Sequence, residues 1–461
     1  MKNMTLERIT EVCGGVYYGS EADKKKEIAG AVIDSRQVES GYLFIAVKGE
    51  KVDGHQFIPQ VFEKGALAVL SEQELSEPAG PYIRVESTLG AMKKLAAYYR
   101  RSLDIKVVGI TGSVGKTSTK EMIASVLSQK YNVLKTEGNF NNEIGLPLTI
   151  FKIREQHEVA VLEMGISEFG EMHRLAEMAY PDICVITNIG LCHLENLLTR
   201  DGILKAKTES FEHLTPEGTA VLNGDDDKLS TKKEVNGKPV IFYGVGADSA
   251  FDIKKDIYAT DIENHGLEGM CAKIHTPQGD FDAKIPIPGE HNVYNALAGT
   301  AVGLQLGLSI REIAQGIASV QTIAGRTNLL HVKGMTVIDD CYNANPVSMK
   351  ASIDVLAHTS GRRIEVLCDM GELGAEEKEL HRSIGKAVAA SGIDALFCAG
   401  TLAEEYASEA KANPECEVHY KKTREEMTEE LLAYVKEGDT VLVKASHFME
   451  FPKVVEALTK E

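Results

Sequence analysis

The densest run of chemically meaningful residues is Gly109-Ile110-Thr111-Gly112-Ser113-Val114-Gly115-Lys116-Thr117-Ser118-Thr119, set between the apolar pair Val107 and Val108 and a helix-like stretch. Glycines at 112 and 115 let backbone N–H groups turn inward around phosphate oxygens, and the following helix presents the positive end of its dipole to the same anion. Lys116 would neutralise the β- and γ-phosphates, the Thr117 hydroxyl would ligate Mg²⁺, and Ser113, Val114 and Ser118 complete the expected cradle. Because Ile110 stands where the longer pattern has glycine, the run is the shorter Gly-x-x-Gly-Lys-Thr form. Its position between strand and helix predicts a site that binds ATP and hydrolyses or transfers its phosphate.

Further candidates close apolar runs. Glu163 follows Val159-Ala160-Val161-Leu162 and would emerge at the carboxyl edge of a strand, where open α/β sheets bind their ligands. It reads as a second Mg²⁺ contact or as a solvated strand-end carboxylate. His193 follows another strand and the turn Asn188-Ile189-Gly190, and reads as a metal ligand or a structural hydrogen-bonder. Lys207, in Leu204-Lys205-Ala206-Lys207, reads by itself as an exposed helical lysine.

An α/β scaffold must position these groups. Apolar strands at 106–110, 159–163, 183–187 and 219–222 alternate with helical patterns, as in a mostly parallel sheet covered by helices. A second series follows Arg326, with strands at 336–339, 364–368, 395–398 and 440–443. Two sheets imply two α/β domains with a cleft between them. Ahead of them, residues 1 to about 82 mix short strand-like runs (42–47, 66–70) with turns such as Val52-Asp53-Gly54-His55, and a helix-like segment over 88–101 leads out.

At 461 residues and 43% hydrophobic, the chain can build several domains with cores of their own. A formal charge of -18 disfavours nonspecific nucleic-acid binding, which needs Lys and Arg to replace phosphate counterions. The eight cysteines include no Cys-x-x-Cys pair and read as reduced thiols. No export signal and no apolar run of about 18 residues is found, so a cytoplasmic protein without membrane insertion is expected.

Taken in order along the chain, several strings resemble the ATP-dependent Mur ligases of bacterial cell-wall synthesis. They are Thr111 to Thr117, Glu163-Met164-Gly165, Thr187-Asn188-Ile189-Gly190 with His193-Leu194-Glu195, Ala206-Lys207, and Gly289-Glu290-His291-Asn292 with Asn295-Ala296. Within that family the chain is most similar to the members that add D-alanyl-D-alanine. That likeness is carried by Gly138-Asn139-Phe140-Asn141-Asn142-Glu143-Ile144-Gly145-Leu146-Pro147, by Asp339-Asp340-Cys341-Tyr342-Asn343-Ala344-Asn345-Pro346, and by Asp369-Met370-Gly371-Glu372-Leu373-Gly374.

The resemblance implies a UDP-sugar-binding domain at 1–82, a central ATP-binding domain at 83–322 and a Rossmann-like domain at 323–461 that takes the incoming dipeptide. It implies a peptidoglycan-synthesis enzyme, acting as a monomer, that phosphorylates the carboxylate of UDP-MurNAc-tripeptide with ATP and Mg²⁺ and then joins it to D-Ala-D-Ala. One Mg²⁺ would lie between Thr117 and Glu163 and another between Glu163 and His193, with Lys207 carbamylated beside them; an unmodified surface lysine is the alternative. His291, Asn292 and Asn295 would meet adenine, for which an asparagine amide offers both donor and acceptor, although Asn292 could equally cap the helix. Arg326 and Asp340 would reach the nucleotide from across the cleft. Ser35 and Arg36 would meet the diphosphate or uracil, unless they form only a polar turn, and Asn142 and Glu143 would make further sugar-nucleotide contacts. Tyr342, Asn343 and Asn345 would bind the dipeptide. One departure concerns the C-terminal Lys-Gly-Ser-Arg of relatives, which here reads Lys444-Ala445-Ser446-His447.

Three competing readings lack their signatures. A sister ligase adding diaminopimelate or lysine would carry Asp-Asn-Pro-Arg, and a guanine-nucleotide switch would carry Asn-Lys-x-Asp; neither string occurs. A folylpolyglutamate synthase would lack the N-terminal module to which residues 34 to 55 correspond.

Overall fold

A computed structural model describes residues 1–460. Its centre is a nine-stranded sheet in the order Gly279–Ile285, Met270–Thr276, Ile257–Asn264, Ile241–Val245, Thr219–Asn223, Ile183–Ile186, Lys106–Thr111, Val159–Glu163 and Val133–Lys135. From Ile257–Asn264 to the Val133–Lys135 edge the strands run parallel.

Strand periodicity explains how the central sheet is covered. Val107, Ala160, Leu162, Cys184 and Ile186 enter the core on one face, while Val108, Ile110, Val161, Ile183 and Val185 enter the core on the other. Successive side chains of a strand point to opposite faces, so runs that are apolar at every position must be covered on both. Helix Lys116–Leu127 and helix His291–Gln305 cover the second face, with Met122, Val126, Leu297 and Ala301 in one core. Each large side chain buried there contributes about 1.5–3 kcal/mol.

Six strands lie between Leu222 and Arg326, where none was expected: the short antiparallel pair Glu234–Val235 and Lys238–Pro239, and four strands of the central sheet. Ile257–Asn264, Met270–Thr276 and Gly279–Ile285 form an antiparallel meander on the sheet edge. Their burial alternates, as expected for strands with only one covered face, and the signal is weaker than that of a wholly apolar run.

A five-stranded sheet precedes the central one, in the order Val16–Tyr18, Tyr82–Arg84, Ala68–Ser71, Leu43–Ile45 and Ala31–Val32. Its residues share one continuous core with the central sheet, through helix Thr88–Arg101, whose Met92, Leu95 and Tyr99 are fully or nearly fully buried. The third sheet has six strands, in the order Asn328–Val332, Met335–Asp340, Asp439–Lys444, Arg362–Cys368, Ala395–Ala399 and Glu417–Lys421. All are parallel except the first pairing. It has its own cores, with Leu367 and Leu396 facing one and Val366 and Phe397 the other. The eight cysteines are free, and among the described residues no helix is long and apolar enough to cross a membrane.

Candidate active site

Strand Lys106–Thr111 lies between strands that the chain reaches in opposite directions, so a crevice opens at its carboxyl end. The glycine loop fills this point. Gly115 caps helix Lys116–Leu127 at φ 82°, a left-handed conformation that glycine adopts freely. A Cβ on Gly112 would stand 1.9 Å from Thr187 Oγ1, so the loop can pass there only without a side chain. The neighbouring strand's end locks the loop: Asn188 O accepts from Ser113 N at 3.0 Å, Asn188 Oδ1 accepts from Val114 N at 3.0 Å, and Thr187 Oγ1 donates to Val114 O at 2.6 Å. Lys116 Nζ donates to Gly112 O at 3.0 Å, which folds the ammonium over the loop.

Glu163 is 2% exposed, so the alternative of a solvated strand-end carboxylate does not hold. Its Oε1 accepts from Thr117 Oγ1 at 3.2 Å and from Asn141 Nδ2 at 2.8 Å. Its Oε2 has no hydrogen-bond partner, and the nearest charge is Lys120 Nζ at 3.8 Å. A buried carboxylate oxygen left unpaired beside a threonine hydroxyl is the donor set a hard divalent cation takes. The residues therefore fit Mg²⁺ at this point. Lys120 is itself buried and donates to Thr136 O at 2.7 Å, while Thr136 Oγ1 accepts from Glu163 N at 2.9 Å.

A cavity of about 470 Å³ extends from this point to the third sheet. The central domain contributes Ser113 to Ser118, Asn142, Glu163, His193, His291 and Asn295 to its wall; the C-terminal domain contributes Arg326, Asp340, Tyr342, Asn343 and Asn345. Arg326 Nη2 donates to Thr117 Oγ1 at 3.3 Å, and its guanidinium lies 4.2 Å from the Tyr342 ring centroid. Tyr342 also meets His447 edge-on, so the departure at 447 places an imidazole against this wall. Asn345 caps helix Pro346–Ala357 by accepting from Ser348 N at 2.9 Å.

Asp340 is buried and accepts from Lys444 Nζ and Ser352 Oγ, both at 2.6 Å. Burial alone would raise its pKa, but Lys444, Ser352 and Arg326 outweigh it and hold the carboxyl below the ordinary range. His193 Nδ1 lies 2.7 Å from Glu372 Oε2 of the C-terminal domain. Both residues sit at positive φ, 51° and 60°, backbone conformations held only where contacts over-determine them.

Lys207 departs from its sequence reading as an exposed helical lysine. It is 1% exposed, and among the described residues no carboxylate pairs with it. Burial, reinforced by the charge of Lys116, pushes its pKa down to about 7 despite an opposing pull from Cys192. The amine is therefore far more readily uncharged at neutral pH than that of an ordinary lysine.

Other expected groups lie away from the cavity wall. Asn292 stands behind it, donating to Pro288 O at 2.8 Å and accepting from Asn295 Nδ2 at 2.8 Å, and so braces Asn295, whose Oδ1 accepts from Thr119 at 2.6 Å. Glu143 is held by Lys93 at 2.6 Å and by Arg174, joining helix Thr88–Arg101 to helix Glu171–Ala179. Arg36, with its side chain 86% exposed, pairs with Asp34 at 2.7 Å on the first sheet, and Ser35 accepts from Lys64 through its carbonyl at 2.8 Å.

Several wall residues escaped the sequence analysis. Tyr294 lines the cavity and donates to Asp225 Oδ2 at 3.2 Å, and Asp225 is paired with the buried Lys255 at 2.5 Å. Asn223 and Tyr243 lie beside it. Asn223 could have been found as a polar residue at a strand's carboxyl end; nothing local marks Asp225 or Lys255.

Comparison with known proteins places the whole chain. It matches the Mur ligase middle domain over residues 110–303, the Mur ligase glutamate ligase domain over residues 325–447 and the Mur ligase family catalytic domain over residues 27–100. It is 37% identical over 470 residues to the UDP-N-acetylmuramoyl-tripeptide--D-alanyl-D-alanine ligase of Bacillus subtilis, with 99% of each chain covered. Among solved structures it superposes on MurF from Acinetobacter baumannii with a TM-score of 0.89 at 32% identity, covering 99% of both chains. It superposes on MurF from Thermotoga maritima in complex with ADP with a TM-score of 0.81 at 32% identity, covering 94% of this chain and 97% of that one.

Proposed function

Because this chain belongs to the Mur ligase family, we propose that it is the ATP-dependent ligase joining D-alanyl-D-alanine to the tripeptide carboxylate of UDP-N-acetylmuramoyl-tripeptide in the cytoplasm. The observation that carries the reading is the single cavity in which the glycine loop and Glu163 face Arg326, Tyr342 and Asn343 of the C-terminal domain. A site of this shape holds ATP on one wall and an acceptor on the other.

The chemistry follows from the weakness of a carboxylate as an electrophile. A carboxylate oxygen attacks the γ-phosphorus, the bond to the β-phosphate oxygen breaks, and ADP and an acyl phosphate result. The amine of the dipeptide then attacks the acyl carbon and inorganic phosphate leaves as the carbon–nitrogen bond forms. Approach of two anions needs positive charge at the point of attack. Lys116 supplies it from the loop, where its ammonium lies over Gly112, and Arg326 supplies it from the opposite wall, against Thr117. Mg²⁺, when bound by Thr117 and Glu163, with His193 near a second ion, would add the electrostatic stabilisation that side chains cannot.

Lys207 is assigned the role of a carbamate. The uncharged amine, which burial favours here, is the form that attacks CO₂, and the anion produced would gain the nearby charge of Lys116, which the ammonium only repels. His291 and Asn295 are assigned to adenine, Tyr294 to the same end of the cavity, and Asp340 to positioning Arg326 and Lys444. Tyr342, Asn343 and Asn345 are assigned to the dipeptide, Asn142 to the tripeptide, and Ser35 and Arg36 to the UDP moiety. Glu143 is reassigned to bracing the two helices it joins.

Purified protein with ATP and Mg²⁺ tests the reading. Phosphate release should require UDP-MurNAc-tripeptide and D-Ala-D-Ala together and yield a pentapeptide by mass spectrometry. Equal turnover with a single free amino acid would point to a sister ligase instead.

A further inference from the structure

One of the strings that carry the family likeness has no part in the cavity wall. Asp369-Met370-Gly371-Glu372-Leu373-Gly374 follows strand Arg362–Cys368 as a loop, and none of its residues lines the cavity. The loop is nonetheless fixed. Asp369 accepts from Thr401 N at 2.9 Å and from Ala403 N at 2.7 Å, and the side chains of Met370 and Leu373 are buried in the core beneath. Between them Glu372 takes a left-handed φ of 60°, and its Oε2 stands 2.7 Å from His193 Nδ1 across the cleft. Gly371 N donates to Ser446 Oγ at 3.2 Å, so the loop also touches the segment that carries Lys444 and His447.

An imidazole holds the bend. His381, from helix Glu377–Ala390, is fully buried, and its Nε2 accepts from Met370 N at 3.0 Å. Its Nδ1 donates to Glu377 O at 2.6 Å. A backbone N–H can only donate and a carbonyl can only accept, so the ring must carry its one proton on Nδ1 and keep a lone pair on Nε2. A second proton would set one donor against another and release Met370. Tyr406 packs against the ring at 4.8 Å between centroids and donates to Cys368 O at 3.0 Å, which ties the ring to the strand end where the loop begins. Burial pushes the imidazole pKa down, against opposing pulls from the Glu377 carbonyl and from the charges of Asp369, Glu377 and Glu405.

A left-handed conformation at a residue other than glycine persists only where its surroundings over-determine it. The bonds at Met370 and Gly371 supply that constraint on the side of the loop that leads into Glu372. We propose that His381 is a positioning residue for the ligase reaction: through the lone pair of Nε2 it holds the Asp369–Gly374 loop so that Glu372 meets His193 across the cleft. The effect on turnover rests on the ligase reading above; the hold on the loop does not.

Two measurements on the full chain test it. Long-range ¹H–¹⁵N correlation spectra of protein labelled with ¹⁵N-histidine, with His381 identified by its absence from a His381→Gln variant, need no substrate and are independent of the ligase reading. They should show the Nδ1–H tautomer at pH 7; an Nε2–H tautomer or an imidazolium there would overturn the proposal. The second measurement is turnover with both substrates. His381→Leu removes the acceptor and should lower kcat/KM for D-Ala-D-Ala about tenfold, the equivalent of one buried donor left unpaired. His381→Asn, which keeps a donor for Glu377 and lacks the acceptor, takes its place if the leucine variant proves unfolded by circular dichroism. His381→Gln, whose Oε1 can stand in for Nε2, should recover to within about threefold of the parent chain. Because the effect passes through Glu372, adding His381→Leu to Glu372→Ala should cost less than about twofold further. A full tenfold loss in the Glu372→Ala background, undiminished kcat/KM in the variants lacking the acceptor, or a glutamine variant as impaired as they are would overturn the proposal.

Discussion

The two walls of the cleft are built differently. The glycine-loop wall is held by backbone: Gly115 at positive φ, Gly112 against Thr187, and amides of residues 113 and 114 bonded to Asn188. The C-terminal wall is held by side chains brought from distant segments, with Asp340 joining Lys444 and Ser352, and Tyr342 lying under Arg326. A wall made of local backbone leaves a compact trace in the sequence. One made of paired side chains leaves scattered residues whose partners are unspecified.

The contrast predicts that single changes at the first wall cost chemistry, while changes at the second cost stability or acceptor affinity. The largest effect is expected at Lys207, buried behind the first wall. Lys207→Ala should lower kcat by about 10³-fold, the upper range for loss of one electrostatic group. Burying an unpaired lysine is unfavourable, so Lys207→Met should fold with undiminished Tm and be equally inactive. Acetate should restore part of the rate to the alanine variant and primary amines should not. Rescue by amines alone would show that the working group is the cation.

Lys116→Ala comes next, with kcat lower by at least about 10²-fold, since one contact to the phosphates is lost. Near-normal turnover would reduce the glycine loop to a structural turn. At the second wall, Asp340→Asn leaves Lys444 as an uncompensated buried charge and should cost about 3 kcal/mol in urea unfolding. A cost below 1 kcal/mol would mean that the pair does not hold that wall.

Legibility in the sequence followed the same division. The strands Lys106–Thr111 and Val159–Glu163 and the helix Thr88–Arg101 were readable because an apolar run or an amphipathic period is contained within the segment. The glycine loop was readable because its glycines, Lys116 and Thr117 lie within one short run. Burial of Lys207 was not, since an isolated lysine on a helix carries no mark of what covers it. Asn292 and Glu143 have suitable chemistry for ligand contacts, yet their partners Pro288, Lys93 and Arg174 engage them elsewhere. The antiparallel meander was missed because half of its residues face solvent and dilute the apolar signal.

Smaller effects sharpen the second wall. Tyr342→Ala removes the aromatic face from Arg326 and should raise KM for the dipeptide about tenfold with a lesser change in kcat, because a partly desolvated cation–π contact is worth about 1–2 kcal/mol. A change confined to KM for ATP would move Tyr342 to the nucleotide side. The smallest effect is in pH. With the Lys207 amine pKa lowered to about 7 by burial, its uncharged fraction falls as the pH drops below neutral. ¹³C-labelled bicarbonate should show a carbamate signal that fades over that interval; a signal unchanged down to pH 5 would place the pKa lower.

The central claim is that phosphate passes through the substrate carboxylate, between the two walls. UDP-MurNAc-tripeptide labelled with ¹⁸O in the carboxylate that receives the dipeptide tests it in one turnover with ATP, Mg²⁺ and D-Ala-D-Ala. The account predicts one ¹⁸O atom in each inorganic phosphate released, because the carboxylate oxygen leaves with it. Unlabelled phosphate accompanying pentapeptide formation would contradict it.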